Sequence, residues 1–154
     1  MKYLLFILLN CLFINSLLSY DFEVEMLNST DPNNTHIVKY SDLIIYRQFK
    51  YTGNWKDNLG DWGKLDCAGN HTIIKEKGTI LKNYCKGKNK DGDIFWLIMD
   101  RKSDSFDTGI GRITYNKGTG KFEKYEDAEC VYAITFLPDR DGTFIKSRCK
   151  FSSE

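Results

Sequence analysis

Residues 62–85 read WGKLDCAGNHTIIKEKGTILKNYC, two runs rich in apolar and β-branched residues on either side of Lys75-Glu76-Lys77-Gly78. Runs of this kind flanking a short turn cluster predict a β-hairpin. Cys67 and Cys85 are symmetric about residue 76, inside that turn. Residues directly opposed in an antiparallel pair have Cα atoms roughly 4.5–5.5 Å apart, within disulfide reach. The stretch 129–150, ECVYAITFLPDRDGTFIKSRCK, repeats the arrangement, with Cys130 and Cys149 centred between Asp139 and Arg140. The spacing therefore predicts two disulfides, Cys67–Cys85 and Cys130–Cys149, each bridging one hairpin. A loop of this size contributes roughly 3 kcal/mol in the chain-entropy account. A bulge in either hairpin would break the register and let the cysteines cross-pair.

Outward from these hairpins the same grammar continues. Strands are expected at 42–52, 62–75, 78–86, 93–101, 108–115, 120–125, 129–137 and 142–150, separated by clusters such as KDNLGD, KNKDGD and NKGTG. No segment keeps a helical period over three turns. The expectation is an all-β fold, an antiparallel barrel of about eight strands. Ile94–Met99 and Val131–Leu137 are continuously apolar, whereas a strand with one wetted face should alternate. Their outer faces need cover, from a helix or loop of the chain or from another subunit, and homo-oligomerisation follows from the second. Residues 28–36, NSTDPNNTH, are polar and turn-rich. They place an N-terminal tail or linker at 20–40 and the barrel domain at 41–154.

The first residues, MKYLLFILLNCLFINSLLS, join one lysine to an apolar run and precede the acidic DFEVE. That pattern suits a secretory signal peptide over 1–19; an uncleaved anchor is the alternative. Asn10 stands before Cys11 where a lipoprotein signal would need a small residue. Cleavage after Ser19 removes Lys2 and Cys11, so 22 basic residues become 21 against 21 acidic ones, and five cysteines become four. An even count in an exported chain fits a disulfide framework in the periplasm or outside the cell, with no stable membrane insertion after cleavage. Neutrality argues against nucleic acid and other polyanions, which would need a basic stripe. With 14% aromatic residues the chain is equally unlike a disordered one.

DNLGDWGKLDCAG (57–69), YCKGKNKDGDIFW (84–96) and GIGRITYNKGTGKFEKYEDAECVYA (109–133) together resemble small exported, mostly bacterial proteins similar to the allene oxide cyclase/dirigent-like barrel superfamily. The resemblance covers about residues 45–150. It implies an eight-stranded antiparallel barrel, often oligomeric. Some members cyclise an epoxide or steer radical coupling, and many have no known activity. No catalytic set from those branches is present here, so no site residue is carried over. Lipocalin-like and avidin-like barrels are the structural alternatives.

Asp91-Gly92-Asp93 and Asp139-Arg140-Asp141-Gly142 cluster carboxylates without the spacing of a Ca²⁺ loop, and Asp and Gly are what tight turns demand. The cysteines lack CxxC spacing and the two histidines, His36 and His71, are isolated, so neither a metal nor a cofactor is expected. There is no G-x-S-x-G, and bonded cysteines are not nucleophiles. Trp55, Trp62, Trp96 and Arg101 remain as candidate ligand-binding residues. Trp55 and Trp62 flank the polar turn KDNLGD as aromatics at a barrel mouth would, with Arg101 as a polar contact. Alternatively these tryptophans fill the core and Arg101 sits in an ion pair. The sequence thus points to an exported barrel that binds a small apolar or aromatic ligand. An isomerase or cyclase acting in the barrel cavity is the alternative.

Overall fold

The computed structural model describes residues 20–104, 108–138 and 141–152, and within them every side chain except those of 30–33 and 108. The expected signal segment 1–19 and the turn residues Asp139 and Arg140 lie outside the described residues. Eight antiparallel strands run in sequence order around a closed barrel: β1 (Phe22–Ser41), β2 (Ile44–Asp57), β3 (Trp62–Ile74), β4 (Gly78–Asn89), β5 (Ile94–Ser103), β6 (Thr108–Gly118), β7 (Glu129–Phe136) and β8 (Gly142–Lys150). β1 closes the ring on β8 over Phe22↔Cys149 to Ser29↔Gly142. Over that span closure leaves no free sheet edge, whereas Thr35–Ser41 of β1 pair with β2 alone.

Local chemistry explains the turns. Asp57 Oδ1 accepts from the Leu59 and Asp61 N–H groups, and Gly60 takes a φ of 91°. Asn89 Oδ1 likewise accepts from the Asp91 and Asp93 N–H groups around Gly92, whose φ is 97°. These side chains replace backbone turn bonds, and glycine supplies the left-handed residue. Asp91-Gly92-Asp93 is thus a hairpin turn. Within strands the period is two: on β4, Thr79, Leu81, Asn83, Cys85, Gly87 and Asn89 are buried, and Ile80, Lys82, Tyr84, Lys86 and Lys88 are exposed.

Both disulfides form as the spacing predicts. Cys67 opposes Cys85 and Cys130 opposes Cys149, with Cα separations of 4.1 and 3.9 Å, slightly closer than the range expected from sequence. All four cysteines are buried.

Two segments differ from expectation. The polar stretch assigned to a tail at 20–40 is largely β1, whose Phe22, Val24, Met26 and Asn28 point into the barrel at strict alternation. Pro32, Asn33 and Asn34 mislead because they fall at the register shift between Thr30 and Thr35, where a strand tolerates them. The segment 120–125, expected as a strand, is a 3-10 turn. Phe122 and Tyr125 are three residues apart; at three residues per turn both face inward, whereas a strand would send them to opposite sides.

The continuously apolar runs are covered unequally. On β5 the outward Ile94, Trp96 and Ile98 are half-buried beside their neighbours Lys88, Lys86 and Tyr84 on β4. On β7 the outward Val131, Ala133 and Thr135 are exposed.

The barrel end formed by the β2–β3 and β4–β5 turns is filled by rings. Trp55 meets Phe95 edge-on at 5.0 Å, Phe95 meets Phe122 at 4.9 Å, and Phe22 contacts Tyr125 and Phe151 at 4.8 and 4.9 Å. Phe95 lies across Gly87, whose missing Cβ leaves the ring its space. Lys121 Nζ ties this end shut, 3.0 Å from Asp61 and 2.8 Å from Asp91. Burial raises the Asp61 pKa, but hydrogen bonds from Asn89, Lys121 and the Trp62 N–H outweigh it and hold the carboxyl below its ordinary value.

Candidate functional site: the open half of the barrel lumen

Past the disulfides, toward the end bounded by the β1–β2 and β3–β4 turns, the inward side chains no longer fill the lumen. A cavity of about 190 Å³ remains there. Its floor is buried and carries Tyr51, His71, Leu81, Asn83, Met99, Tyr132, Ile134 and Ile145. Half-buried Thr35, Arg47, Phe49, Phe136 and Thr143 form the outer ring. Most of the wall is apolar or aromatic, and the polar groups converge from several strands. This is the general composition of a small-molecule site.

The polar floor is built around Tyr51. Its hydroxyl accepts from Asn83 Nδ2 at 3.1 Å and lies 3.6 Å from Cys85 Sγ and 3.7 Å from Met99 Sδ. A disulfide sulfur carries no proton, so Tyr51 is the donor, its single O–H proton directed between two sulfur acceptors, Cys85 Sγ and Met99 Sδ. Burial raises the Tyr51 pKa, reinforced by Tyr132 and opposed by the Asn83 hydrogen bond. Tyr132, 1% exposed, has its pKa pushed up to about 12, chiefly by burial, with Arg101 pulling the other way. Both phenols therefore stay protonated at neutral pH. Among the described residues the Tyr132 hydroxyl has no hydrogen-bond partner, although buried hydroxyls ordinarily have one.

Arg47 and Arg101 make this half of the lumen basic, with an uncharged His71 beside them. Burial, then the positive charges of Arg101 and Arg47, push the His71 imidazole down to about 4, so it is neutral at physiological pH. Arg101 is only 2% exposed and its guanidinium packs over Gly109. Tyr132 similarly lies over Gly111. Two bare glycines on one face of β6 thus give Arg101 and Tyr132 the space their side chains occupy. Among the described residues no cluster of His, Cys, Asp and Glu could hold a metal ion, and no helix is long and apolar enough to cross a membrane.

The tryptophans expected to mark the site all lie at the ring-filled end, but they face different ways. Trp55 is buried there, its Nε1–H donating to the Lys64 carbonyl at 3.1 Å. Trp62 is 58% exposed on the outer wall, and Trp96 is half-buried on the same outer side. None of them lines the cavity, and of the four residues singled out only Arg101 stands near it. Trp55 takes the core-filling alternative because KDNLGD forms a closed turn over packed rings rather than a mouth. Tyr51, His71, Asn83, Met99 and Tyr132 were missed. For three of them the signal was the parity of the cysteines: His71 shares the phase of Cys67, Asn83 that of Cys85, and Tyr132 that of Cys130. Comparisons with models of known families, with curated proteins and with solved structures found no match.

Proposed function

We propose that this protein is an exported, disulfide-linked barrel that holds one small aromatic molecule in the open half of its lumen. The observation that carries the reading is the 190 Å³ cavity with an apolar wall and a polar, basic rim and floor. A buried apolar cavity of about 150 Å³ is enough to take up benzene, so one substituted ring is the size class that fits. The ring would pack against Phe49, Met99 and Ile145, and a carboxylate or hydroxyl substituent would face Arg47, His71 and Tyr132. Two disulfides suit an oxidising compartment, in keeping with export. The eight-stranded architecture is also the one implied by the resemblance to allene oxide cyclase/dirigent-like barrels, and we include that kinship in the proposal. Turnover in the lumen would need a base there; His71 with a pKa near 4 is a poor one at neutral pH, so the reading is binding without catalysis.

Isothermal titration calorimetry with 4-hydroxybenzoate and benzyl alcohol tests it. The expected result is saturable binding of the acid, lost in Thr35→Trp, which plugs the outer ring without enlarging the core. Absence of binding to either compound, or unchanged binding by Thr35→Trp, would overturn the site.

A further inference from the structure

Formal neutrality of the whole chain hides a strong local asymmetry. Residues 62–90, the β3–β4 hairpin and its flank, hold seven lysines against two acidic residues, Asp66 and Glu76. Strand alternation sends Lys64, Lys82, Lys86 and Lys88 to the outer wall. Lys64 stands directly opposite Lys88, a like-charge cross-strand pair of the kind that weakens a sheet. Lys86 stands between the exposed Asp66 on β3 and Trp96 on β5, without an ion pair to Asp66, and Trp96 opposes Lys117. Trp62, 58% exposed, begins β3 two residues before Lys64.

The other side of the barrel is arranged differently. Glu25 contacts Lys56 at 2.9 Å and Lys146 at 3.7 Å, and Glu23 contacts Arg148 at 3.0 Å. Glu23, Glu25, Lys56, Lys146 and Arg148 on β1, β2 and β8 thus form one ion-pair cluster. Among the described residues, Lys64, Lys86, Lys88 and Lys117 form no ion pair. The β3–β4 wall therefore presents a group of lysines outside any ion pair beside the exposed indole of Trp62 and the half-buried one of Trp96.

We propose that this lysine and tryptophan face binds an acidic polysaccharide. Same-face residues on a strand are about 6.8 Å apart and neighbouring strands about 4.8 Å, so Lys64, Lys86 and Lys88 form a compact set from which a chain can run along β4. Lysine ammonium groups are mobile point charges suited to carboxylates and sulfates spaced along a flexible polymer. Indole faces at the margin offer flat apolar surfaces for the C–H faces of sugar rings. The disulfides favour an oxidising, extracellular setting, where polysaccharides are the accessible linear polyanions. The expectation from sequence weighs only the net charge of the whole chain, whereas the lysine excess is local to 62–90 and alternation and register place Lys64, Lys86 and Lys88 on one wall.

The test uses the full oxidised protein and measures binding to polygalacturonate, with dextran as the neutral control and poly(dT) and phosphatidylglycerol vesicles as competing polyanions. Lys64→Glu/Lys88→Glu is compared with Lys75→Glu/Lys77→Glu, which makes the same charge change at the far turn of the same hairpin. The proposal expects the first variant to weaken polygalacturonate binding at least tenfold and the second by less than about threefold, with a salt dependence reduced only in the first. Trp62→Ala should weaken binding while leaving the salt slope unchanged. Equal losses in the two charge variants, no binding by wild type, or tighter binding to poly(dT) or vesicles than to polygalacturonate would each overturn it. Near-ultraviolet circular dichroism confirms that the variants, all at exposed positions, remain folded.

Discussion

Replacing each cystine by a pair of alanines separates the two hairpin staples. Cys67–Cys85 and Cys130–Cys149 span 18 and 19 residues. Loop closure of that length removes about 11 cal/mol/K of entropy from the unfolded chain, or about 3 kcal/mol per bridge at 25 °C. The loops do not overlap, and they staple β3 to β4 and β7 to β8 on different parts of the ring, so their contributions should add. Together they amount to about 6 kcal/mol, against a typical domain stability of roughly 5–15 kcal/mol. Equilibrium unfolding in urea, followed by fluorescence of the buried Trp55, is the assay. With an m value of about 2 kcal/mol/M, each double-alanine variant should shift the midpoint down by about 1.5 M. The variant lacking both bridges should be close to the edge of folding at 25 °C. If either pair costs less than about 1 kcal/mol, or if removing both costs no more than removing one, the independent-staple account is wrong.

Other outcomes follow from particular side chains. The His71 pKa is near 4 in the folded chain and 6.5 unfolded, so between those values only the unfolded chain gains the proton, and stability falls as pH drops from 6.5 to 4 and levels off below. The full shift corresponds to about 3 kcal/mol, which water reaching the lumen reduces to about 1–2 kcal/mol, and urea titrations of wild type and His71→Gln should differ by that slope. If the two proteins respond identically to pH, His71 is not held neutral. Trp55→Ala should cost about 3–5 kcal/mol and Trp62→Ala less than about 0.5 kcal/mol, because only the first removes a packed ring; similar losses in thermal unfolding would contradict their placement. The exposed outer side chains Leu27, Ile110, Val131 and Phe144 on neighbouring strands β1, β6, β7 and β8 predict self-association, which light scattering coupled to size exclusion checks; a strict monomer at micromolar concentration is the contrary result.

Residues with one strong local signal were legible in the sequence. The two cystines, their hairpin registers and the meander between turn clusters rest on short-range symmetry and on the chemistry of Gly, Asn and Asp. β1 was not legible, because Asn28, Pro32 and Asn33 read as a linker unless the inward alternation of Phe22, Val24 and Met26 is weighed against them. The 3-10 turn was hidden because Phe122 and Tyr125 act through closure of the barrel end, a contact no neighbouring residue announces. The lumen site failed for a different reason. Tryptophan marked the filled end, while Arg101 and Tyr132 are placed by what is absent from β6, the side chains of Gly109 and Gly111. Parity from Cys67, Cys85 and Cys130 is the sequence feature that reaches His71, Asn83 and Tyr132.

Methyl NMR on protein labelled with [methyl-¹³C]methionine tests the lumen site most directly, because Met99 lines the cavity and Met26 is buried in the barrel without touching it. Titration with 4-hydroxybenzoate should shift the Met99 methyl resonance saturably and leave Met26 in place. A stationary Met99 at saturating ligand, or equal movement of Met26, would show that the open half of the lumen is not where this barrel binds.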